Sequence, residues 1–140
     1  MIHMLKNFES DINDNSCDDY WYDVALFECQ EMLERFSDEE WKELSEKIGD
    51  YSEKAQMRCV ECLSDIDNRK GLLIIFRLSN TNNRALFVTC VDSLRNMDIS
   101  SLSQSEKERL FQRVKEYSAD ASAIEKAVFK SFLDVIGYCN

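Results

Sequence analysis

His3 is the only histidine in a chain of 140 residues. A serine or cysteine nucleophile needs a neighbouring base to take its proton, and histidine is the common one. Such a relay would rest on a side chain at the N-terminal end, so catalysis of this kind is not expected. Cys59-Val60-Glu61-Cys62 has C-x-x-C spacing. Dithiols of that spacing do redox work at the junction of a strand and a helix. Here the surrounding apolar spacing is helical, and packed thiols are the expectation. A structural zinc site needs two further ligands at close spacing. Cys17, Cys29, Cys90 and Cys139 each stand alone. Gly49, Gly71 and Gly137 are too scattered to form a phosphate-cradling loop. Asp11, Asp14 and Asp18 lack the central glycine and terminal glutamate of a calcium loop. No catalytic set, cofactor or metal is expected. The 27 Asp and Glu side chains make many accidental pairs, and a solvated face is their commoner role.

What remains is a surface. Tyr20, Val24, Phe27 and Glu31 recur at i, i+4, i+7 and i+11, flanked by Asp23, Glu28 and Glu34. On a helix they share the face turned away from an apolar stripe. Aromatic anchors inside an acidic rim are the composition of an interface that grips a basic protein. The candidate partner-binding residues are Asp18, Asp19, Tyr20, Asp23, Phe27, Glu31, Glu34, Glu39 and Glu43. Trp21 would add an anchor if exposed. The competing expectation is that residues 1–15, with Ile2, Leu5 and Phe8, fold over the aromatics and bury them.

The elements that position this face read as helices. Proline is absent and glycine occurs three times, which disfavours turn-rich β folds. Residues 1–17 read as an irregular lead-in, with at most a helical turn at Met4 to Phe8. A first helix is expected from Asp19 to Phe36, with Asp18 as N-cap. Trp21, Tyr22, Ala25, Leu26, Cys29, Met32, Leu33 and Phe36 form its inward stripe at 100° per residue. Ser37-Asp38-Glu39-Glu40 is a capping box that starts a second helix through Ile48, stopped by Gly49. A third runs from a box-like start at Asp50 to Glu53 as far as Ile66. Leu72 to Leu78 and Ala85 to Val91 fit either a β-hairpin or two helices, Lys70 to Leu78 and Asn83 to Arg95, capped at Thr81 or Asn82. Strict alternation is missing from both runs, which favours helices. Ser103-Gln104-Ser105-Glu106 opens a helix to Tyr117. Asp120 caps a last one from Ala121 to Ile136, stopped at Gly137. The expected fold is all-α: one domain, 1–140, of about seven helices in antiparallel pairs, arranged as HEAT-like repeats or as an irregular bundle.

Charge is unevenly spread. The net charge is −10, yet residues 1–50 alone hold 4 basic and 15 acidic side chains. An acidic surface repels nucleic acid, whose binding relies on Lys and Arg. It attracts basic partners and speeds encounter with them. The longest apolar run, Leu72-Leu73-Ile74-Ile75-Phe76, has five residues, far short of the roughly 20 a membrane helix needs. Neither a membrane nor a nucleic acid is an expected partner. Met1-Ile2-His3-Met4-Leu5-Lys6 shows no basic segment followed by an apolar one. A cytoplasmic protein with reduced cysteines is therefore expected.

A small, acidic, histidine-poor helical chain of this kind resembles bacterial immunity proteins. The resemblance rests on Trp41-Leu44-Ile48, on Arg58-Cys59-Val60-Glu61-Cys62-Leu63, on Asn82-Asn83-Arg84-Ala85-Leu86-Phe87 and on Cys90-Val91-Asp92-Ser93-Leu94. These segments look like the degenerate HEAT-like helix pairs some immunity proteins use, and they cover about half the chain. Within that group the chain is most similar to the immunity class of contact-dependent growth inhibition systems. The resemblance implies one cognate toxin partner, often a basic nuclease, neutralised by occlusion. A helical adaptor or regulatory module without a toxin partner fits the same surface. An enzyme working through carboxylates would need them to converge in a pocket.

Overall fold

The computed structural model describes residues 3–15, 17–66 and 68–137. Among the described residues there are helices and no strands. The helices are α1 (His3–Ile12), α2 (Asp18–Tyr20), α3 (Leu26–Glu34), α4 (Asp38–Lys47), α5 (Glu53–Leu63), α6 (Arg69–Leu78), α7 (Arg84–Leu94), α8 (Gln104–Ser118) and α9 (Ala123–Ile136). α2 and α3 are one continuous rod, because Trp21–Ala25 between them is a π-helical turn. The fold is all-α, as expected. Its eighth rod is α1, where an irregular lead-in over residues 1–17 was expected.

Short polar side chains set most of the boundaries. Ser37 and Glu40 form the capping box of α4, and Ser103 and Glu106 that of α8. The hairpin alternative for residues 72–91 is excluded: Asn68 accepts from the Lys70 N–H to start α6, and Asn83 from that of Leu86 to start α7. Five expected boundaries move. Asn83 caps α7, where Thr81 or Asn82 was expected. Cys17, in extended conformation, precedes α2 in place of Asp18, which is already helical. Ser52 caps α5, since Asp50 lies in a 3-10 turn, Ile48–Asp50. That turn also contains Gly49, whose φ is not positive, so it is not a left-handed stop. Ser122, not Asp120, caps α9, in a third complete box with Glu125. Gly137 does end α9 in the left-handed region, at φ 81°.

Packing runs in a row. α3 lies on α5, α5 on α7, and α7 on α9. α6 lies against both α5 and α7, α8 against α9, and α1 against α3, α4 and α5. One hydrophobic core threads the row, from Leu5, Phe8 and Trp21 to Phe129 and Phe132. Edge-to-face contacts of Phe36 with Phe8 and Trp41 close one end. Phe87, stacked on Tyr117 at 4.4 Å and close to Phe129, closes the other. Gly71 permits the close approach of α6 to α5: a Cβ there would meet Leu63 Cδ2 at 3.2 Å.

Candidate functional site

Seven large apolar side chains stand exposed among the described residues, and four of them fall within residues 20–27. They are Tyr20, Tyr22, Val24 and Phe27, the last 59% exposed. Asp18, Asp19, Asp23, Glu28, Glu31 and Glu34 are exposed on the same rod. An apolar cluster inside a rim of one charge is the arrangement expected of a protein-binding surface.

Arg58 holds this rod in place. It is 3% exposed, on α5. Its Nη1 donates to the Asp14 carbonyl at 2.9 Å, and its guanidinium lies over the Trp21 ring, 4.8 Å from the centroid. Nη2 is 3.8 Å from an oxygen of the exposed Asp18. Trp21 is thereby pinned in the core, so it is not the added anchor that the sequence allowed. Next to it the rod widens: the Leu26 N–H bonds to the Trp21 carbonyl, five residues back. One extra residue in a turn re-aims the side chains beside it. Tyr22, expected on the inward stripe, consequently faces solvent.

α1 does not cover the patch. Its Leu5, Phe8 and Ile12 are fully buried in the core, while Tyr20, Val24 and Phe27 stay exposed. Ile2 lies outside the described residues. Of the sequence candidates, the structure brings together Asp18, Asp19, Tyr20, Asp23, Phe27, Glu31 and Glu34 on one rod. Glu39 and the half-buried Glu43 sit on α4, a separate helix that packs on α1.

Tyr22 links the patch to a recess between α3, α5 and α7, of about 400 Å³, lined also by Glu61, Asp65 and Asp92. The Tyr22 hydroxyl donates to Glu61, and this bond pushes its pKa up to about 12. Burial raises the Glu61 carboxyl above its ordinary 4.5, against the pull of Tyr22 and Arg58. The sign of the consequence is fixed. The fold opposes ionisation of Glu61, so its cost is absent below pH 4.5 and grows as pH rises through the raised value. A Glu61→Gln variant should therefore match the native chain in acid and melt higher at neutral pH. Paired melting curves across that range test it, and a gain equal at both ends would refute the assignment.

The C-x-x-C thiols lie inside the core. Cys29, Cys59, Cys62 and Cys90 are buried, Cys17 is exposed, and these five are free thiols. Cys139 lies outside the described residues. Burial pushes the Cys59 and Cys62 thiols up and holds Cys90 at about 12. A thiol kept protonated is a poor nucleophile. Among the described residues no group of three His, Cys, Asp or Glu side chains is placed to hold a metal ion. No helix of the described residues is long and apolar enough to cross a membrane.

The sequence missed Tyr22, Arg58 and Glu61. Arg58 stands just before the C-x-x-C and Glu61 within it, and their only signal was charge inside an apolar helical stripe. Comparison with protein-family models, with curated proteins and with solved structures found no match.

Proposed function

We propose that this protein is an immunity protein, binding a basic cognate toxin through residues 18–34 and neutralising it by occlusion. The observation that carries the binding surface is the exposed set Tyr20, Tyr22, Val24 and Phe27 within an acidic rim. The aromatics supply anchors whose burial against a partner yields most of the affinity. Asp18, Asp19, Asp23, Glu31 and Glu34 supply steering, and Glu61, Asp65 and Asp92 extend the same sign into the recess beside Tyr22. The toxin as partner rests on the resemblance of the sequence to immunity proteins. A HEAT-like pairing of helices belongs to the same resemblance. A cytoplasmic site of action belongs to the same reading.

The test is recovery of partners on the tagged protein at low and high salt. A single basic protein, released by salt and toxic to growth when expressed alone, is the expected result. A housekeeping protein in its place would move the reading to a helical adaptor. With the partner in hand, Glu31→Lys combined with Glu34→Lys should weaken binding by more than ~2 kcal/mol while the melting temperature holds. A loss below ~0.5 kcal/mol would remove both residues from the interface.

A further inference from the structure

A second surface, of opposite charge, lies between α4 and α6. These two helices do not form a close pair; long side chains join them. Lys70 bonds to Asp38 near their N-terminal ends, and Arg77 to the Ser45 hydroxyl and carbonyl near their C-terminal ends. Both bridges span 32 residues, so the helices run parallel and in register. Between the bridges is an open slot of about 330 Å³. Trp41 and Ile74, each at most 5% exposed, form its floor, and Leu73, 38% exposed, lies on its edge. Its walls carry Lys42, Lys70 and Arg77 against one carboxylate, Asp38.

We infer that this slot is a docking site for a short segment of a partner protein, one large apolar side chain flanked by carboxylates. The slot's volume lies at the low end of the range for ligand sites. Its apolar floor is bounded at both ends by fixed bridges, which limits the occupant to one or two side chains. Charge complementarity sets the flanks: carboxylates beside the anchor meet Lys42 and Arg77, since Lys70 is already paired with Asp38, while basic flanks would meet like charge. The acidic patch of residues 18–34 selects the opposite kind of partner, so this inference stands or falls separately from the immunity reading.

The probe is a displayed library of random 12-residue peptides, panned on the full-length protein at low salt. Enriched peptides should carry Glu or Asp around a Leu, Phe or Trp. A synthetic copy of one of them should bind at least tenfold more weakly to Leu73→Glu and to Lys42→Glu. Both positions are exposed, and unchanged melting curves verify that the variants fold. Binding to Ile124→Glu, at an exposed position on α9, should match the native protein. Failure to enrich any peptide, enrichment of basic or uncharged ones, or acidic peptides indifferent to Leu73→Glu would each overturn the inference. So would a concentration-dependent dimer abolished by Leu73→Glu in sedimentation, which would make the occupant a second copy.

Discussion

Arg58→Ala is expected to lower the unfolding free energy by about 3 kcal/mol. The guanidinium does two jobs at once. It satisfies the Asp14 carbonyl, and it covers the face of a buried indole. Losing a hydrogen bond to a charged group costs about 1.5–3 kcal/mol, and a desolvated cation–π contact is worth about 2. The two share one side chain and do not add. Asp18 contributes little, because it is 83% exposed and screened by water. Arg58→Met keeps the aliphatic stem and isolates the share of the charged head. Trp21 fluorescence supplies the local readout: without Arg58 the indole should become accessible to a soluble quencher before the chain unfolds. Trp41, the other tryptophan, serves as the internal reference in a Trp21→Phe background. The effect reaches function as well. Arg58 fixes the start of the rod, and the rod presents Tyr20 and Tyr22. Partner affinity should fall in Arg58→Met although Arg58 would not touch the partner. A variant with native stability and native quenching would show that the rod holds its place without this side chain.

The same residues show where the sequence was legible. The boxes at Ser37 and Ser103 were readable because a box is local: four consecutive residues contain both the donors and the acceptors. The box at Ser122 obeys the same rule: Glu125 stands three residues after it, whereas Asp120, a cap by residue type alone, has Ala123 at that place. α1 was missed for a different reason. Asn7, Ser10 and Asp11 dilute its stripe, and its helix is held by tertiary burial of Leu5, Phe8 and Ile12 rather than by propensity. Those three at i, i+3 and i+7 were the signal.

The outward set Tyr20, Val24 and Phe27 was legible because helical spacing holds from Leu26 onward and nearly holds before it. Tyr22 was not, since a π turn has no sequence rule as simple as a stripe. It forms here where Trp21 is drawn inward under Arg58, a residue 37 positions later. Long-range partners of that sort also create the slot between α4 and α6. Lys70 and Arg77 read locally as solvated charges on α6. Only their bridges to Asp38 and Ser45 turn them into walls.

Glu40 should show the second large effect: about 2 kcal/mol for Glu40→Gln and about 3 for Glu40→Ala. The side chain is buried, and both of its oxygens are used. Oε1 accepts from the Ser37 N–H at 3.1 Å and from the Ser37 hydroxyl at 3.2 Å. Oε2 accepts from the Leu5 N–H at 2.9 Å. One carboxylate therefore caps two helices, α4 through its own box and α1 across 35 residues of sequence. Both helix ends present positive dipole to it, which favours an anion over a neutral group. Glutamine has a single acceptor oxygen. If it serves Ser37, the amide NH₂ group faces the Leu5 N–H, donor against donor; if it serves Leu5, the box opens. Alanine strands both ends and leaves a void beside the Leu5 N–H, which is why it costs more. Urea denaturation gives the totals, and amide exchange at Leu5 separates the two ends. Exchange at Leu5 should quicken in Glu40→Gln while the amides of α9 keep native protection, because α9 lies at the far end of the row. Equal stability of Glu40→Gln and the native chain would mean that α1 is held by its apolar side chains alone.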